Sequence, residues 1–250
     1  LVGSDRVLAV LVELARYPSG VGLDDLARVM RSPKPTIHRN LVSLRRAGLA
    51  QQDGRGHYIL GDEFLRMAFA HHDARPDHVR VEGVLQALAR QFGETAHYAG
   101  LSGTDVVYRS KVDPPSGAAR LTSIVGGRNP AHCTAVGKLL LSYELPDRAA
   151  VQDWIGAREL PRITERTLTT AAELDAEFDR IRRLGYAVDD QENEPGVSCL
   201  AVPAFLNSPT VPSGAISVSA LAYRTPLSTL IDQVSTIQQL VGAGQGEFAS

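Results

Sequence analysis

The sequence predicts an α+β chain in two parts, a small basic helical head and a larger acidic body that mixes strands with helices. Three observations predict it. Nine Lys/Arg against five Asp/Glu give residues 1–60 a net charge of +4, and 17 against 23 give the remainder −6, beneath an overall charge of −2. Apolar residues recur at helical spacing as far as Ala47, and from Thr95 the pattern changes to period-two alternation interrupted later by helices. At 250 residues, 44% hydrophobic and 22% charged, the chain has the composition of a globular protein with room for a small and a medium domain.

The same composition excludes several classes. No run reaches the ~18 apolar residues that a bilayer span needs. Asp5, Arg6 and Glu13 interrupt the N-terminal apolar stretch, so a secretory leader is not expected and the cytoplasm is the expected compartment. Cys133 and Cys199 are the only cysteines and neither has CxxC or Cys/His spacing, which rules out a disulfide scaffold and a zinc finger. No metal and no cofactor is expected.

In the head, Val7, Leu8, Leu11, Val12, Leu14 and Ala15 predict a first helix, ended by Tyr17-Pro18-Ser19-Gly20. A short second helix follows Gly22, with Asp24 and Asp25 in its first turn and Leu26, Ala27 and Met30 inward. Ser32 as N-cap and Pro33 as first residue start a third helix running to Ala47, inward at Ile37, Leu41 and Leu44. Its other faces carry Lys34, Thr36, His38, Arg39 and Ser43, a set of donors after a very short turn, which is helix-turn-helix geometry. Gly48 stops the helix, and LAQQDGRGHYIL alternates around the hairpin signal Asp53-Gly54, predicting a two-stranded wing tipped by Arg55. A winged helix-turn-helix places the third helix in the major groove and the wing against phosphates or the minor groove, so double-stranded operator DNA is the expected partner. The competing reading is a three-helix packing module with solvated basic faces.

The run GVGLDDLARVMRSPKPTIHRNLVSLRRAGLAQQDGRGHYILG resembles the DNA-binding domain of IclR-type bacterial transcriptional regulators. Lys34, Thr36, His38 and Arg39 keep the pattern of that family, and together with Ser32 and Arg55 they are the expected DNA contacts. Two positions depart from the pattern: Pro35 replaces a serine, removing its phosphate or base contact, and Asn40 replaces a leucine beneath the helix.

Asp62 is expected to cap a linker helix with Phe64, Leu65, Ala68 and Phe69 on one stripe, ending near His71-His72-Asp73 before Pro76. Adjacent histidines on a helix diverge by about 100° and do not chelate together, which leaves a solvated helix end. Val81, Leu85, Leu88 and Phe92 space the next helix, closed by Gly93. Strands are expected at Thr95–Leu101, Asp105–Val112 and Arg120–Val125, helices at Val136–Tyr143, Asp147–Ile155 and Ala171–Leu184, strands again at Tyr186–Asp190, Ser198–Phe205 and Gly214–Leu221, and a last helix at Leu227–Val241. This order predicts an antiparallel sheet with helices on its faces. The expected domains are 1–61, a linker over 62–78, and 79–250.

The blocks RLTSIVGGRNPAHCTAVGKLLLS, RTLTT, GYAVDDQENEPGVSCLAVPAF and AISVSA, in that order, resemble the effector-binding domain of the same regulators, with Gln191 in place of the usual Glu and Ala220 in place of Gly. The resemblance implies a GAF-like effector-binding fold that also helps form the oligomer, a homodimer or homotetramer, with Leu121, Ala135, Val136, Asp189, Cys199, Ser217 and Ser219 lining the pocket. Independently, Thr134, Ala135, Val136 and Gly137 open a helix whose amides offer N–H donors to a small organic acid. Ser217 and Ser219 alternate onto one strand face. Cys199 and the serines also read as small buried residues. The acids Asp189, Asp190, Glu192 and Glu194 suit either a hard cation or a solvated loop, and His132-Cys133 either a thiol nucleophile or simple packing.

A ligand-responsive transcriptional regulator, by default a repressor, is therefore expected. The alternative is an enzyme or small-molecule-binding module of GAF-like fold with an accessory basic domain. The enzyme reading lacks a paired acid and base, a phosphate loop and a metal set.

Overall fold

The computed structural model describes residues 3–73, 77–114 and 121–246. The chain divides into two units, with the boundary between residues 76 and 77.

The first unit contains α1 (Gly3–Leu14), α2 (Leu23–Val29), α3 (Lys34–Arg46), a hairpin of β1 (Ala50–Gln52) and β2 (Tyr58–Leu60), and α4 (Asp62–Asp73). Val10, Leu14, Leu26, Ile37, Leu41, Leu44 and Tyr58 form its core. Of the apolar residues that mark α1, Leu8 and Val12 are 60% and 65% exposed, because the buried face of α1 is Val10 and Leu14. Ser32 does not cap α3. Arg31 adopts a left-handed φ of 47°, and its N–H and that of Ser32 donate to the Arg28 and Ala27 carbonyls, so Ser32 completes the close of α2. The N-cap of α3 is Pro33, and Pro35 stands in its first turn, where a missing N–H leaves no helical bond unmade. Gly48, at φ 70°, ends α3 by the same motif.

The wing turn is wider than the Asp53-Gly54 signal suggested, since Gln52 pairs with Tyr58 and residues 53–57 form the loop. Asp53 Oδ1 accepts from the N–H groups of Arg55 and His57, which organises the loop and leaves Arg55 exposed at its tip. On α4, Leu65 and Phe69 are 51% and 63% exposed. The side chains of Ala68, His71 and His72, together with Pro76, lie outside the described residues.

The second unit is a six-stranded antiparallel sheet in the order β5-β4-β3-β8-β7-β6. The strands are β3 (Thr95–Ser102), β4 (Asp105–Val112), β5 (Arg128–Pro130), β6 (Ala187–Asp190), β7 (Val197–Ala204) and β8 (Gly214–Leu221). On one face, α5 (Asp77–Phe92), α9 (Leu227–Asp232) and α10 (Val234–Gly246) bury Val81, Leu85 and Leu88 against Leu200, Ile216 and Val218. On the other, α6 (Ala135–Glu144), α7 (Arg148–Ile155) and α8 (Ala171–Leu184) bury Leu139, Leu174 and Phe178 against Ala201 and Ala215.

Two elements differ from expectation. The strand expected at Arg120–Val125 is a loop over its described residues, 121–125, tied by Lys111 Nζ donating to the carbonyls of Leu121 and Ser123 at 2.9 and 2.8 Å. The sheet edge forms later, at Arg128–Pro130, after the turn at Gly126 and Gly127. The last helix breaks at Gln233 into α9 and α10.

Between α6 and α8 lies a fully buried cation. Lys138, 1% exposed, pairs with Glu177 of α8 at 3.3 Å and makes a short contact with Oε1 of Glu192 in the loop after β6, whose Oε2 has no hydrogen-bond partner among the described residues. Burial still pushes the Glu192 carboxyl above its ordinary value, with Lys138 opposing. Removing one member of such a pair strands the other. Lys138→Met should lower the unfolding free energy by about 3–5 kcal/mol in urea titrations, and adding Glu192→Gln should restore part of the loss.

Candidate functional site

In the first unit, α3 presents Lys34, His38 and Arg39 to solvent, with Thr36 half-buried beside them. Arg39 and Arg55 make no ion pair among the described residues, so both guanidinium groups are available to an anion. Lys34 is already paired, its Nζ 2.7 Å from Asp24 Oδ1 across the turn between α2 and α3. Both side chains are exposed, and such a pair contributes at most about 1 kcal/mol, so a phosphate can displace the carboxylate. Asn40 turns inward, 6% exposed, with Val10, Met30 and Ile37 around a cavity of about 300 Å³.

The second unit holds a cavity of about 560 Å³ on the α6 side of the sheet. Leu121, Ala135, Val136, Asp189, Cys199, Ser217 and Ser219, the seven residues assigned by resemblance, all line it. Gly137 does not. Its Cα is pressed against Ala131, whose carbonyl a Cβ would meet at 2.2 Å, and its N–H donates to the Thr134 side chain at 3.1 Å, which caps α6. Lys138 N–H already reaches the Thr134 carbonyl. The donors left at the cavity edge are therefore the N–H groups of Ala135 and Val136.

The sheet register explains the floor. Asp189 pairs with Cys199, Cys199 with Ser219, and Ser217 with both Ala201 and His97, so alternate residues of four strands present one face. Sequence reasoning missed His97 and Tyr108, which share that face and pack with ring centroids 4.8 Å apart and planes tilted by 44°. The signal that marks them is their period-two spacing with Ala99 and Val106, because neither falls in a recognisable block.

His97 Nε2 lies 2.8 Å from Ser123 Oγ and Nδ1 lies 3.3 Å from Ser219 Oγ. Burial, and then the nearby Lys111, lower the imidazole to about 4, so it is neutral at physiological pH. Asp189 is 3% exposed and accepts from the N–H groups of Glu192 and Asn193 at 2.7 and 3.4 Å. Burial nonetheless lifts its carboxyl to about 7.

The alternatives raised by neighbouring motifs resolve locally. Burial pushes Cys133 up to about 12, its thiol donates to Asn193 Oδ1 at 3.6 Å, and His132 Nε2 turns away to the Pro161 carbonyl at 3.0 Å. That is packing, with no thiolate. Of the acidic run, Glu192 meets Lys138, Asp190 pairs with Arg166 and Asp189 accepts within its own turn, while Glu194 lines the cavity. Among the described residues, no group of three His, Cys, Asp or Glu has the geometry to hold a metal ion, and no helix is long and apolar enough to cross a membrane.

The two buried groups tilt stability in opposite directions. A histidine depressed to about 4 destabilises the fold as pH falls from 6.5, because only the unfolded chain then takes up the proton; an aspartate raised to about 7 destabilises it as pH rises from 3.8. In urea titrations at pH 5 and 7, His97→Gln should therefore gain on the parent at the lower pH and Asp189→Asn at the higher. Either difference that stays flat between the two pH values contradicts the assignment.

Comparison with known proteins agrees with both halves of this geometry. Residues 4–54 match the family described as IclR helix-turn-helix domain, and residues 78–241 match Bacterial transcriptional regulator IclR C-terminal. The chain is 32% identical over 187 residues to the HTH-type transcriptional regulator KdgR of Escherichia coli (strain K12), covering 74% of this chain and 70% of that one. It is 30% identical over 228 residues to the Pca regulon regulatory protein of Pseudomonas putida, covering 90% and 76%. The fold is shared with the crystal structure of the Thermotoga maritima IclR, with a TM-score of 0.78 at 22% identity and 98% of each chain covered. It is also shared with an IclR homolog of Microbacterium hydrocarbonoxydans, crystallised with 4-hydroxybenzoate, with a TM-score of 0.74 at 19% identity and 95% and 98% covered. These relatives are regulators of transcription, not enzymes. With both the helix-turn-helix and the C-terminal family matched over most of its length, the chain belongs to the IclR family of bacterial transcriptional regulators.

Proposed function

We propose that this regulator is a cytoplasmic repressor whose affinity for operator DNA is set by a small organic acid. Residues 1–61 bind the DNA, 62–78 link, and 79–250 hold the acid and join copies into a homodimer or homotetramer. The observation that carries the reading is the pair of uncommitted N–H groups of Ala135 and Val136 opening onto the 560 Å³ cavity, in a unit separate from the basic helix-turn-helix. The complex of the Microbacterium homolog with 4-hydroxybenzoate supports an organic acid as the class of ligand.

On the DNA, α3 enters the major groove. Arg39 reads a base edge, Thr36 and His38 stand beside it, Lys34 and Arg55 meet phosphates, and Ser32 sits at the backbone end of the turn. A single head covers one half-site, so paired copies match a pseudo-palindrome. The exposed stripes Leu8/Val12 on α1 and Leu65/Phe69 on α4 suit a seam between copies.

Arg39→Ala should lose about 1–3 kcal/mol on specific DNA and less on random DNA, measured by fluorescence anisotropy. Equal losses on both would make Arg39 a phosphate contact. Val136→Glu should keep operator binding and lose the thermal shift that 4-hydroxybenzoate or a related acid gives the parent; a retained shift would move the ligand elsewhere.

A further inference from the structure

Two residues of the head stand where local stability disfavours them, and both line one cleft. Arg31 holds a left-handed φ of 47°, which strains any residue with a Cβ and which glycine takes freely. Asn40 lies on the inward face of α3 with Ile37, Leu41 and Leu44, 6% exposed, and its carboxamide has no hydrogen-bond partner among the described residues. A leucine at position 40 and a glycine at position 31 would relieve both costs. The two meet at the cavity of about 300 Å³ between α1 and the turn that joins α2 to α3. Residues that break local rules at one place, with nothing in the fold to offset them, mark a contact made with something else.

The cleft has the chemistry of an anion site. Arg6 of α1 and Arg31 are its cations, both exposed, and neither guanidinium has an ion pair or hydrogen bond among the described residues. No acid is among the described residues that line it. Asn40 adds an amide donor from beneath, where a hydrogen bond to a charged oxygen is stronger than in open water. Two guanidinium forks and an amide suit the several oxygens of a phosphate group. Residues 31–33 lead directly into Lys34, the first residue of α3, so a duplex that receives α3 in its major groove brings its own backbone phosphates to this turn.

We infer that the cleft between α1 and the α2–α3 turn seats a DNA backbone phosphate, held by Arg6 and Arg31 at the rim and by the Asn40 amide from beneath; this rests on the reading of residues 1–61 as the DNA-binding unit. Arg31 and Asn40 thereby give up stability in the free head for a contact made only on DNA. Phosphates carry no sequence, so the contact strengthens binding to all duplexes alike and anchors the start of α3 while Arg39 reads a base edge.

The test is fluorescence anisotropy of the full chain with two duplexes of equal length, one recovered by selection from a random-sequence pool and one of scrambled sequence, over ~50 to ~200 mM potassium chloride. Arg6→Ala and Arg31→Gly should each weaken binding to both duplexes about tenfold and reduce the slope of log affinity against log salt by about one. Asn40→Leu should weaken both about tenfold with the slope kept, because it removes a donor but no charge. Thermal unfolding followed by circular dichroism separates contact from fold. Arg31→Gly removes the strain and Asn40→Leu the unpartnered amide, so neither should lower Tm. The inference is overturned if both arginine variants keep the parent's salt slope, if the losses fall on the selected duplex alone, if Asn40→Leu binds as the parent does, or if Asn40→Leu lowers Tm. Inorganic phosphate against chloride at equal ionic strength tests the other source of the anion: a thermal shift that Arg31→Gly abolishes, with DNA affinity unchanged in all three variants, assigns the cleft to a free anion and also overturns the inference. The wider reading fails separately. If Arg39→Ala loses affinity for the selected duplex while the cleft variants lose none, residues 1–61 stay on the DNA and only the cleft falls, whereas a parent that binds neither duplex removes both.

Discussion

One buried ammonium fixes the geometry of the second unit. Lys138 sits inside the protein at the start of α6, and a charge so deep persists only when its partners are held in place around it. Those partners come from two other elements, Glu177 from α8 and Glu192 from the loop after β6. The N–H of Glu192 is in turn accepted by Asp189, so the carboxyl that lines the cavity and the carboxylate that meets Lys138 are two ends of one turn. On the other side, Gly137 is pressed against Ala131 so tightly that no larger residue fits. The first turn of α6 is therefore pinned from behind, and its two free N–H groups are aimed at the cavity by packing that involves no ligand. Preorganisation of this kind keeps the ordering cost of binding small.

The head achieves its presentation by backbone means. Arg31 takes a left-handed conformation usually left to glycine or asparagine, which closes α2 and starts α3 within three residues. Pro33 and Pro35 then stiffen the entry to α3, where neither removes a helical bond. The result is an exposed helix face carrying Arg39 with its guanidinium uncommitted, and a wing loop folded around Asp53 so that Arg55 projects.

Much of this was legible in the residues. Helical spacing located Ile37, Leu41 and Leu44 beneath α3, and Thr170 before Glu173 forms the capping box at the expected start of α8. Alternation placed Ser217 and Ser219 on one face, and seven of the eight effector residues named from the sequence surround one cavity. The rest depended on contacts between distant parts of the chain. Residues 121–125 have the composition of a strand, but Lys111 and His97 bind them as a loop, and nothing local records that. Gly137 reads as a free helix amide until Thr134 takes it. His97 is invisible as a site residue because its role comes from a ladder with Ser217 that lies 120 positions away in the sequence. Ser32 was misplaced because a serine before a proline has the look of a helix cap, and the left-handed Arg31 that overrides it leaves no compositional trace.

In the proposed function, an acid bound in the body of the chain is coupled to DNA bound on its head. By linkage, such coupling acts equally in both directions. The direct measurement is the dissociation constant of a cavity-binding monocarboxylate, titrated calorimetrically into the free protein and into the protein saturated with operator DNA. The two constants should differ by a factor of about 5–150, and the same factor should separate the operator affinities measured with and without the acid. Identical ligand affinity in the two titrations would contradict it.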